Sequence, residues 1–169
     1  ASFDISSLSS LTTLEMEKGA GMRALAVQLV VLAVVVVGAP EASASAAPPF
    51  NDGFDSAQVL SGEANVVTAT SKDATKEAGE RAHAANPGGA SVWFRWVAQR
   101  EGTLTIWITE NTLDTVLGVY TGTSVDALTE IASNDDYGSS TASRVTYAVD
   151  SGVEYRIAVD GVSGASGPF

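Results

Sequence analysis

Apolar and polar residues alternate along several short segments in the second half of the chain. In VWFRWV, the residues Val92, Phe94 and Trp96 form one row, and Trp93 and Arg95 fall in the other. The same period of two recurs in TLTIWIT (103–109), RVTYAV (144–149) and EYRIAVD (154–160). Because this period places successive side chains on opposite faces of a sheet, each segment is predicted to be a strand with one buried row.

Other segments are predicted as strands from their apolar content. TVLGVYT (115–121) is a nearly continuous apolar run, which is typical of a buried central strand. NVVTAT (65–70) and LTEIA (128–132) are predicted to be short strands. The apolar residues between Phe54 and Leu60 predict a first strand or a helical turn. Clusters of turn-forming residues, such as SNDDYG, separate these segments.

Short strands with turn signals between them and no long helical period predict an all-β fold. An antiparallel β-sandwich, or jelly roll, is the architecture that this pattern favours. The alternating helices that a sheet of βαβ units needs are missing from the pattern after residue 47. The domain is therefore predicted to be a sandwich over 54–169, preceded by a linker at 47–53 and by a helical signal peptide.

The N-terminal region has the composition of an export signal. Residues 1–21 show no sustained period and are predicted to be a non-native or unstructured extension. Arg23 then precedes an apolar run that ends in small residues, the pattern of a secretory signal peptide over 22–46, cut after Ala44 or Ala46. The run falls short of the ~20 apolar residues of a spanning helix, and an uncleaved anchor is the alternative. In either case the remainder is predicted to be secreted or held at the cell surface.

Composition excludes several classes of chemistry. The chain of 169 residues has no cysteine, which excludes disulfides, thiolate metal sites and cysteine nucleophiles. Its formal net charge of -11 argues against binding to a phosphate backbone, because there is no basic stripe to release counterions. No nucleic-acid partner is therefore expected, and contact with a membrane is expected only through the transient signal peptide.

Acidic residues form a candidate Ca²⁺ site. Asp135 and Asp136 are adjacent on a predicted turn, and a hard cation such as Ca²⁺ takes about six to eight oxygen ligands. Asp114, which precedes a predicted buried strand, could join them. Glu77 or Glu80 could also join them from the polar loop, the segment that precedes the strand VWFRWV. The alternative is that Asn and Asp occupy this turn because they tolerate its geometry and hydrogen-bond their own backbone. No cofactor other than this cation is expected.

Glu77, Glu80 and His83 recur at three-residue spacing in the polar loop before the Trp-rich strand. On a helix they would share a face, but a glycine and a proline in the loop disfavour a regular helix. The set also lacks the H-E-x-x-H arrangement of a zinc hydrolase. The alternative interpretation is that the glutamates form loop-ordering salt bridges with Lys76 or Arg81.

Trp93, Trp96, Trp107 and Tyr120 could form an aromatic platform for a sugar or a peptide, and the residues around the Trp-rich strand are the preferred candidates. If Phe94 and Trp96 face the core, Trp93 and Arg95 lie on the other face, where Trp93 could stack against a sugar or a peptide. His83 in the preceding loop is the third candidate. The alternative is that most aromatic residues of a two-layer fold belong to its core.

No catalytic motif accompanies these residues. The sequence contains no G-x-S-x-G nucleophile elbow, and its single histidine has no recognisable triad context. A pair of carboxylates for glycoside hydrolysis is the enzymatic alternative, since acidic residues are plentiful and their separation is unknown. The prediction is a non-catalytic protein, with a secreted hydrolase or a Ca²⁺-dependent adhesin domain as the alternatives.

Four segments together resemble the bacterial pre-peptidase C-terminal-like domains: ATKEAGERAHAANPGGASVWFRW, LDTVLGVYTGTSVDALTEIASNDD, SRVTYAV and YRIAVDGVSGASG. The similarity covers 51–169, with departures at Leu113 and Ala78, where the family often has Phe and Pro. The resemblance implies a β-sandwich module appended to a secreted peptidase or another exported protein, without catalytic activity of its own. Some domains similar to this one bind calcium, and some bind protein fibres such as collagen.

These expectations combine into one functional prediction. The chain is expected to be an accessory module of an exported bacterial protein that acts by binding or by spacing. Its expected partners are an extracellular protein, a cell surface or a polysaccharide, together with an adjacent domain of the same polypeptide. Because the sequence stops in a loop or at the first residue of a strand, the sandwich is expected to lack its last strand and the natural chain to continue.

Overall fold

The computed structural model describes residues 46–109 and 113–169. The predicted extension at 1–21 and the predicted signal peptide lie outside these residues, except for Ala46 at the end of the latter. Within the two described ranges the regular structure is almost entirely β-strand, which confirms the prediction of an all-β fold. The same ranges contain no helix that is both long enough and apolar enough to span a bilayer.

Seven strands and two short 3₁₀ helices make up the regular structure of the described ranges. The strands are β1 (Gln58–Leu60), β2 (Val92–Val97), β3 (Gly102–Trp107), β4 (Thr115–Thr121), β5 (Thr129–Asn134), β6 (Arg144–Val149) and β7 (Glu154–Gly161). The 3₁₀ helices are Phe54–Ser56 and Val162–Gly164. The segments with a period of two coincide with β2, β3, β6 and β7, and the apolar run coincides with β4.

Five strands form one sheet in the order β1-β2-β7-β4-β5, and β3 pairs with β6 in a two-stranded sheet. Neighbouring strands are antiparallel except at one edge, where β1 runs parallel to β2, with Gln58 opposite Phe94 and Leu60 opposite Trp96. The prediction of a purely antiparallel arrangement is therefore wrong at this edge. The reason is the long connection over 61–91, which lets β2 enter the sheet in the same direction as β1.

The main hydrophobic cluster takes side chains from both sheets. Phe94 of β2 and Ile157 of β7 belong to it, together with Val145, Tyr147 and Val149 of β6. The β6 residues form the inward row that alternation predicts, because each lies two positions from the next. Their burial removes apolar surface from water, which is the dominant favourable contribution to folding.

The five-stranded sheet is also covered on its opposite face. Trp93 of β2, Tyr120 of β4 and Ala158 of β7 form a second cluster with Phe54 of the first 3₁₀ helix. Trp93 and Ala158 are partners in the ladder between β2 and β7, so their side chains point to the same face. The first 3₁₀ helix therefore packs on the face opposite the main cluster.

The strand predicted over 65–70 is absent. These residues are irregular apart from Thr70, which forms an isolated bridge with Pro168. The side chain of Val66 is fully exposed, so the apolar content of this segment does not reflect burial in a sheet. The strand predicted over 128–132 is present as β5, which begins one residue later and ends two residues later than expected.

The last residue of the chain packs against the segment before the polar loop. The backbone N–H of Phe169 donates to the carbonyl of Ala69 at 3.0 Å, and the N–H of Ala69 donates to the carbonyl of Phe169 at 3.1 Å. Phe169 is also buried within the main hydrophobic cluster. These contacts fix the segment that follows β7 to the core.

Candidate functional site

A tight turn in the polar loop places His83 in the interior. His83 and Asn86 exchange backbone hydrogen bonds of 3.1 and 2.8 Å, and the two alanines between them have left-handed φ angles of 46° and 63°. Alanine is strained in this region, so contacts elsewhere must hold the turn in place. The turn delivers the imidazole of His83, which has no exposed surface, against the ring of Trp93.

The His83 ring bridges two polar groups. Its Nδ1 lies 2.6 Å from the hydroxyl oxygen of Tyr120, and its Nε2 lies 2.8 Å from Oε1 of Glu80. Burial raises the pKa of Tyr120, and so does the nearby charge of Glu130, which keeps the hydroxyl protonated. In the neutral ring the Tyr120 hydroxyl therefore donates to Nδ1, and Nε2 donates to the carboxylate, which can only accept.

Glu80 stays ionised although its side chain has no exposed surface. Burial alone would raise the pKa of its carboxyl, but hydrogen bonds from His83, from Ser91 and from the backbone of Glu77 lower that pKa below its ordinary value. The N–H of Glu77 donates to Oε2 of Glu80 at 3.0 Å. The carboxylate, the imidazole and the phenol thus form a chain of satisfied hydrogen bonds.

Asp160 holds the glycine-containing end of the loop. This residue lies in β7 and is fully buried. Its carboxylate accepts hydrogen bonds of 2.8 to 3.2 Å from the backbone N–H groups of Gly89, Ala90 and Gly161. Gly88 has a φ of 57°, and a side chain at this position would overlap the carboxylate. Glycine is therefore required there for both conformation and space.

Glu80, His83 and Asp160 bring ligand-type atoms within 4.8 Å of one another. One imidazole nitrogen and two carboxylates are donors that several divalent metals accept. These atoms already have hydrogen-bond partners, however, because His83 donates to Glu80 and backbone N–H groups donate to Asp160. The arrangement is suited to holding the loop against the sheet.

The three-residue spacing of the loop does not produce one common site. Glu80 and His83 meet, whereas Glu77 is not part of their group among the described residues. Oε2 of Glu77 instead accepts a hydrogen bond of 2.6 Å from the backbone N–H of Phe54. Glu77 therefore links the loop to the first 3₁₀ helix.

Lys76 and Arg81 do not form the pairs with the loop glutamates that the alternative interpretation of the loop expected. Lys76 Nζ lies 3.9 Å from Oδ2 of Asp160 and donates to the carbonyl of Pro87 at 2.6 Å. Arg81 lies 3.8 Å from the carboxylate of Glu130. The expectation of pairs between these cations and the loop glutamates is wrong, because Lys76 pairs with Asp160 of β7 and Arg81 pairs with Glu130 of β5.

Three aspartates meet at one end of the five-stranded sheet. Asp114 lies directly before β4, and Asp135 and Asp136 lie directly after β5, the antiparallel neighbour of β4. Carboxylate oxygens of the three lie within 4.8 Å of one another. The Oδ1 atoms of Asp114 and Asp135 are buried and have no hydrogen-bond partner among the residues that the structure describes. The structure thus joins these three predicted metal ligands, while Glu77 and Glu80 make the contacts described above.

The acidic cluster concentrates negative charge. Burial raises the pKa of Asp135, and the charges of Asp136 and Asp114 raise it further, against a hydrogen bond from Asn86 that lowers it. Carboxylates this close repel one another unless one is protonated or a cation neutralises them. Carboxylate oxygens are the ligands that Ca²⁺ prefers. The three residues are therefore the candidate ligands for a hard cation.

Asn134 supports the turn itself. Its Nδ2 donates to the carbonyl of Asp136 at 2.9 Å, and its Oδ1 accepts from the backbone N–H of Arg144 at 2.8 Å. This is the local role that the alternative interpretation assigned to Asn and Asp in this turn. It describes Asn134, whereas the carboxylates of Asp135 and Asp136 converge with Asp114.

Trp93 is buried and not exposed. It lies on the face opposite Phe94 and Trp96, as alternation predicts, but it has no exposed surface. The rings of Phe54 and His83 pack edge-on against it, with centroid distances of 5.3 and 5.6 Å. The expectation of an exposed stacking platform at Trp93 is wrong, because the first 3₁₀ helix and the His83 turn cover this face.

Arg95 is the residue of the predicted ligand-binding set that reaches solvent. One of its guanidinium nitrogens lies 3.7 Å from the carboxylate of Glu154. Its side chain lines a cavity of about 510 Å³ beside β1, together with Trp96. The side chains of Trp93 and His83 lie in the interior, where a surface ligand does not reach them. A ligand-binding role for Arg95 stays a prediction.

Sequence analysis does not place Asp160 and Tyr120 beside the polar loop. Asp160 belongs to the alternating segment of β7, and Tyr120 lies within the apolar run of β4. A charged residue in an otherwise buried strand is the signal that points to Asp160, because a buried charge must be hydrogen-bonded or paired. No local signal ties Tyr120 to His83, since 37 residues separate them.

Comparisons with known proteins add no family to these observations. Models of protein families, curated proteins and solved structures were compared with the chain, and none of them matches it. The resemblance to the pre-peptidase C-terminal-like domains therefore stays a prediction from sequence motifs.

Proposed function

We propose that this chain is a non-catalytic accessory module of an exported bacterial protein, similar to the pre-peptidase C-terminal-like domains. In this proposal the two sheets stack as a β-sandwich, which is supported by the cluster that Phe94 of one sheet shares with Val145 of the other. The module is secreted or held at the cell surface. It binds an extracellular protein, a cell surface or a polysaccharide, or it spaces an adjacent domain of the same polypeptide.

The placement of the buried carboxylates supports a non-catalytic role. A glycosidase needs two carboxyl groups that face each other across a cleft open to substrate. The side chains of Glu80 and Asp160 have no exposed surface. Their oxygens accept hydrogen bonds from the protein itself, so they stabilise the loop and are not free to attack a substrate.

The acidic cluster of Asp114, Asp135 and Asp136 is the observation that carries the proposal. Two of its carboxylate oxygens, one on Asp114 and one on Asp135, are buried without a hydrogen-bond partner within 46–109 and 113–169. An unpaired buried acceptor destabilises a fold, and a bound cation would satisfy both. The donor set is all oxygen, which fits Ca²⁺ with its ~6–8 oxygen ligands. Bound there, Ca²⁺ would tie the start of β4 to the end of β5.

Thermal melting with Ca²⁺ and with a chelator tests this function. A ligand that binds only the folded state stabilises it by about 2.7 kcal/mol at a hundredfold excess over Kd. The melting midpoint is expected to rise with Ca²⁺ and to return to its starting value with EDTA. The rise is expected to vanish in the double variant Asp135→Asn/Asp136→Asn.

The matched control removes the same charge elsewhere. Glu101→Gln/Asp150→Asn neutralises two exposed carboxylates outside the cluster, and it is expected to keep the full rise. A midpoint that does not respond to saturating Ca²⁺ removes the ion from the proposed function. Release of products from a polysaccharide by the purified chain would contradict the non-catalytic role.

A further inference from the structure

Exposed aromatic and charged side chains form a row beside the two-stranded sheet. Trp107 of β3 and Arg144 of β6 are direct partners in the ladder, so their side chains lie next to each other on one face. The guanidinium of Arg144 lies over the ring of Tyr137, 4.8 Å from its centroid. Trp107 and Tyr137 are 58% and 54% exposed, so both rings keep much of their apolar surface in water.

The row borders a groove of about 310 Å³. Its lining includes Trp107, Ile108, Tyr137, Ser140, Ser143 and Arg144. The volume falls at the lower end of small-molecule sites, which measure ~300–1,000 Å³. A folded protein partner would need a contact area of about 800 Å² on each side. The groove therefore suits a ligand that enters with one or two rings.

Backbone hydrogen bonds hold the walls of the groove. The N–H of Ile108 donates to the carbonyl of Ser143 at 3.0 Å, and the N–H of Tyr137 donates to the carbonyl of Ala142 at 3.1 Å. The guanidinium of Arg144 donates to the hydroxyl of Tyr137 at 3.3 Å. Because these groups are already ordered, binding a ligand would cost less conformational entropy than binding to a mobile site.

We propose that this groove binds a neutral polysaccharide through pyranose rings that stack on Trp107 and Tyr137. A pyranose ring has an apolar face of C–H bonds that packs on an aromatic ring, and its hydroxyls hydrogen-bond with polar side chains at the rim. Arg144 supplies such donors beside both rings. An anionic polymer is disfavoured by the net charge of -11 and by Asp135 and Asp136, which directly precede Tyr137.

This inference rests on the proposed function, because it names the polymer that the accessory module binds. The groove and the acidic cluster share one turn, since Tyr137 follows Asp136 and the hydroxyl of Ser143 donates to the carbonyl of Asp135 at 2.8 Å. An ion at the cluster would hold the Tyr137 wall of the groove. Removal of Ca²⁺ is therefore expected to weaken sugar binding.

Calorimetric titration of the purified chain tests the inference. The neutral probes are cellohexaose, chitohexaose and mannohexaose, and the contrasting probes are hexagalacturonate and a proline decapeptide. Binding of at least one neutral probe is expected, with affinity falling about tenfold or more in Trp107→Ala and in Tyr137→Ala. The matched control is Phe50→Ala, which removes a ring that is 72% exposed and lies outside the groove, and it is expected to keep the affinity.

A second measurement uses the unaltered chain. The indole N–H signal of Trp107 in NMR spectra is expected to shift when a neutral probe is added, while the signals of the buried Trp93 and Trp96 stay in place. Absence of binding by every neutral probe, tighter binding of hexagalacturonate or of the proline peptide, or full affinity in Trp107→Ala would each overturn the inference. These results would leave a spacer role intact. Binding followed by cleavage would support the ligand and contradict the non-catalytic function.

Discussion

Nδ1 of His83 and the hydroxyl oxygen of Tyr120 lie 2.6 Å apart, although 37 residues separate them in the sequence. His83 comes from an irregular loop, and Tyr120 comes from β4 inside the five-stranded sheet. Glu80 extends the contact on the other side of the imidazole, at 2.8 Å. This buried chain of hydrogen bonds fixes the loop in one position on the sheet, because His83 has Glu80 of the loop on one side and Tyr120 of the sheet on the other.

Tyr120→Phe is expected to destabilise the fold by about 1–3 kcal/mol, because it leaves the buried Nδ1 of His83 without a donor. Urea unfolding measures the change. The matched control is Tyr137→Phe, which removes a hydroxyl from a half-exposed ring and is expected to stay within about 0.5 kcal/mol of the parent chain. Equal losses in the two variants would show that the His83 contact adds nothing to stability.

Gly88→Ala is expected to destabilise the fold more than Gly62→Ala. Both glycines have a positive φ, at 57° and 81°, so each change costs about 1 kcal/mol in backbone strain. A Cβ at Gly88 would also overlap the carboxylate of Asp160, whereas a Cβ at Gly62 meets open space. The overlap adds a further ~1–3 kcal/mol. Chemical denaturation of both variants measures the difference. Similar midpoints would argue against the role of the Asp160 carboxylate in holding the end of the loop.

Glu80 is expected to make stability fall in acid. Because the folded state lowers the pKa of Glu80, its contribution is present above the ordinary value of 4.5 and is lost as the pH falls through the lowered value. Glu80→Gln removes this contribution, so the curves of the two chains are expected to approach each other in acid. Urea midpoints between about pH 3 and pH 7 measure the effect. A constant gap over that range would contradict the ionised state of Glu80.

Asp135 is expected to act with the opposite sign. Its pKa is raised in the folded state, so the folded chain binds more protons, and stability falls as the pH rises from the ordinary value of 3.8 through the raised one. Asp135→Asn should therefore be more stable than the parent chain at neutral pH without Ca²⁺. Saturating Ca²⁺ should reverse that order, because only the parent carboxylate pairs with the ion. Thermal melts of both chains with EDTA and with Ca²⁺ give this comparison.

The strands of the main core can be predicted from the sequence because their signal is local. In β6, Val145, Tyr147 and Val149 repeat at every second position, and each packs in the shared cluster. The parallel edge cannot be predicted in this way, because the direction of β1 relative to β2 depends on the path of 61–91. The strand predicted over 65–70 is the opposite case. Its apolar residues have the composition of a strand, but Val66 is exposed and the segment pairs with no neighbouring strand of the described ranges.

For the candidate site, too, the sequence indicates the features that depend on strands and misses those that depend on loops. The meeting of Asp114 with Asp135 and Asp136 agrees with the antiparallel pairing of β4 and β5, which places the start of one strand beside the end of the other. The sequence names these residues but leaves open whether they converge. The burial of Trp93 does not follow from its own strand. It depends on Phe54 and His83, which belong to a 3₁₀ helix and a loop whose positions no local pattern encodes.

The position of β7 between β2 and β4 has a consequence for how the chain acquires its structure. Among the strands of the described residues, β7 follows the others in the sequence, and it supplies both central pairings of the five-stranded sheet. Until Glu154–Gly161 has emerged from the ribosome, the three residues of β1 are the sheet partner of β2 within the described ranges. Pairings between segments so far apart form slowly. The two central pairings of this sheet can therefore form only after β7 has been synthesised, and they close the sheet between β2 and β4.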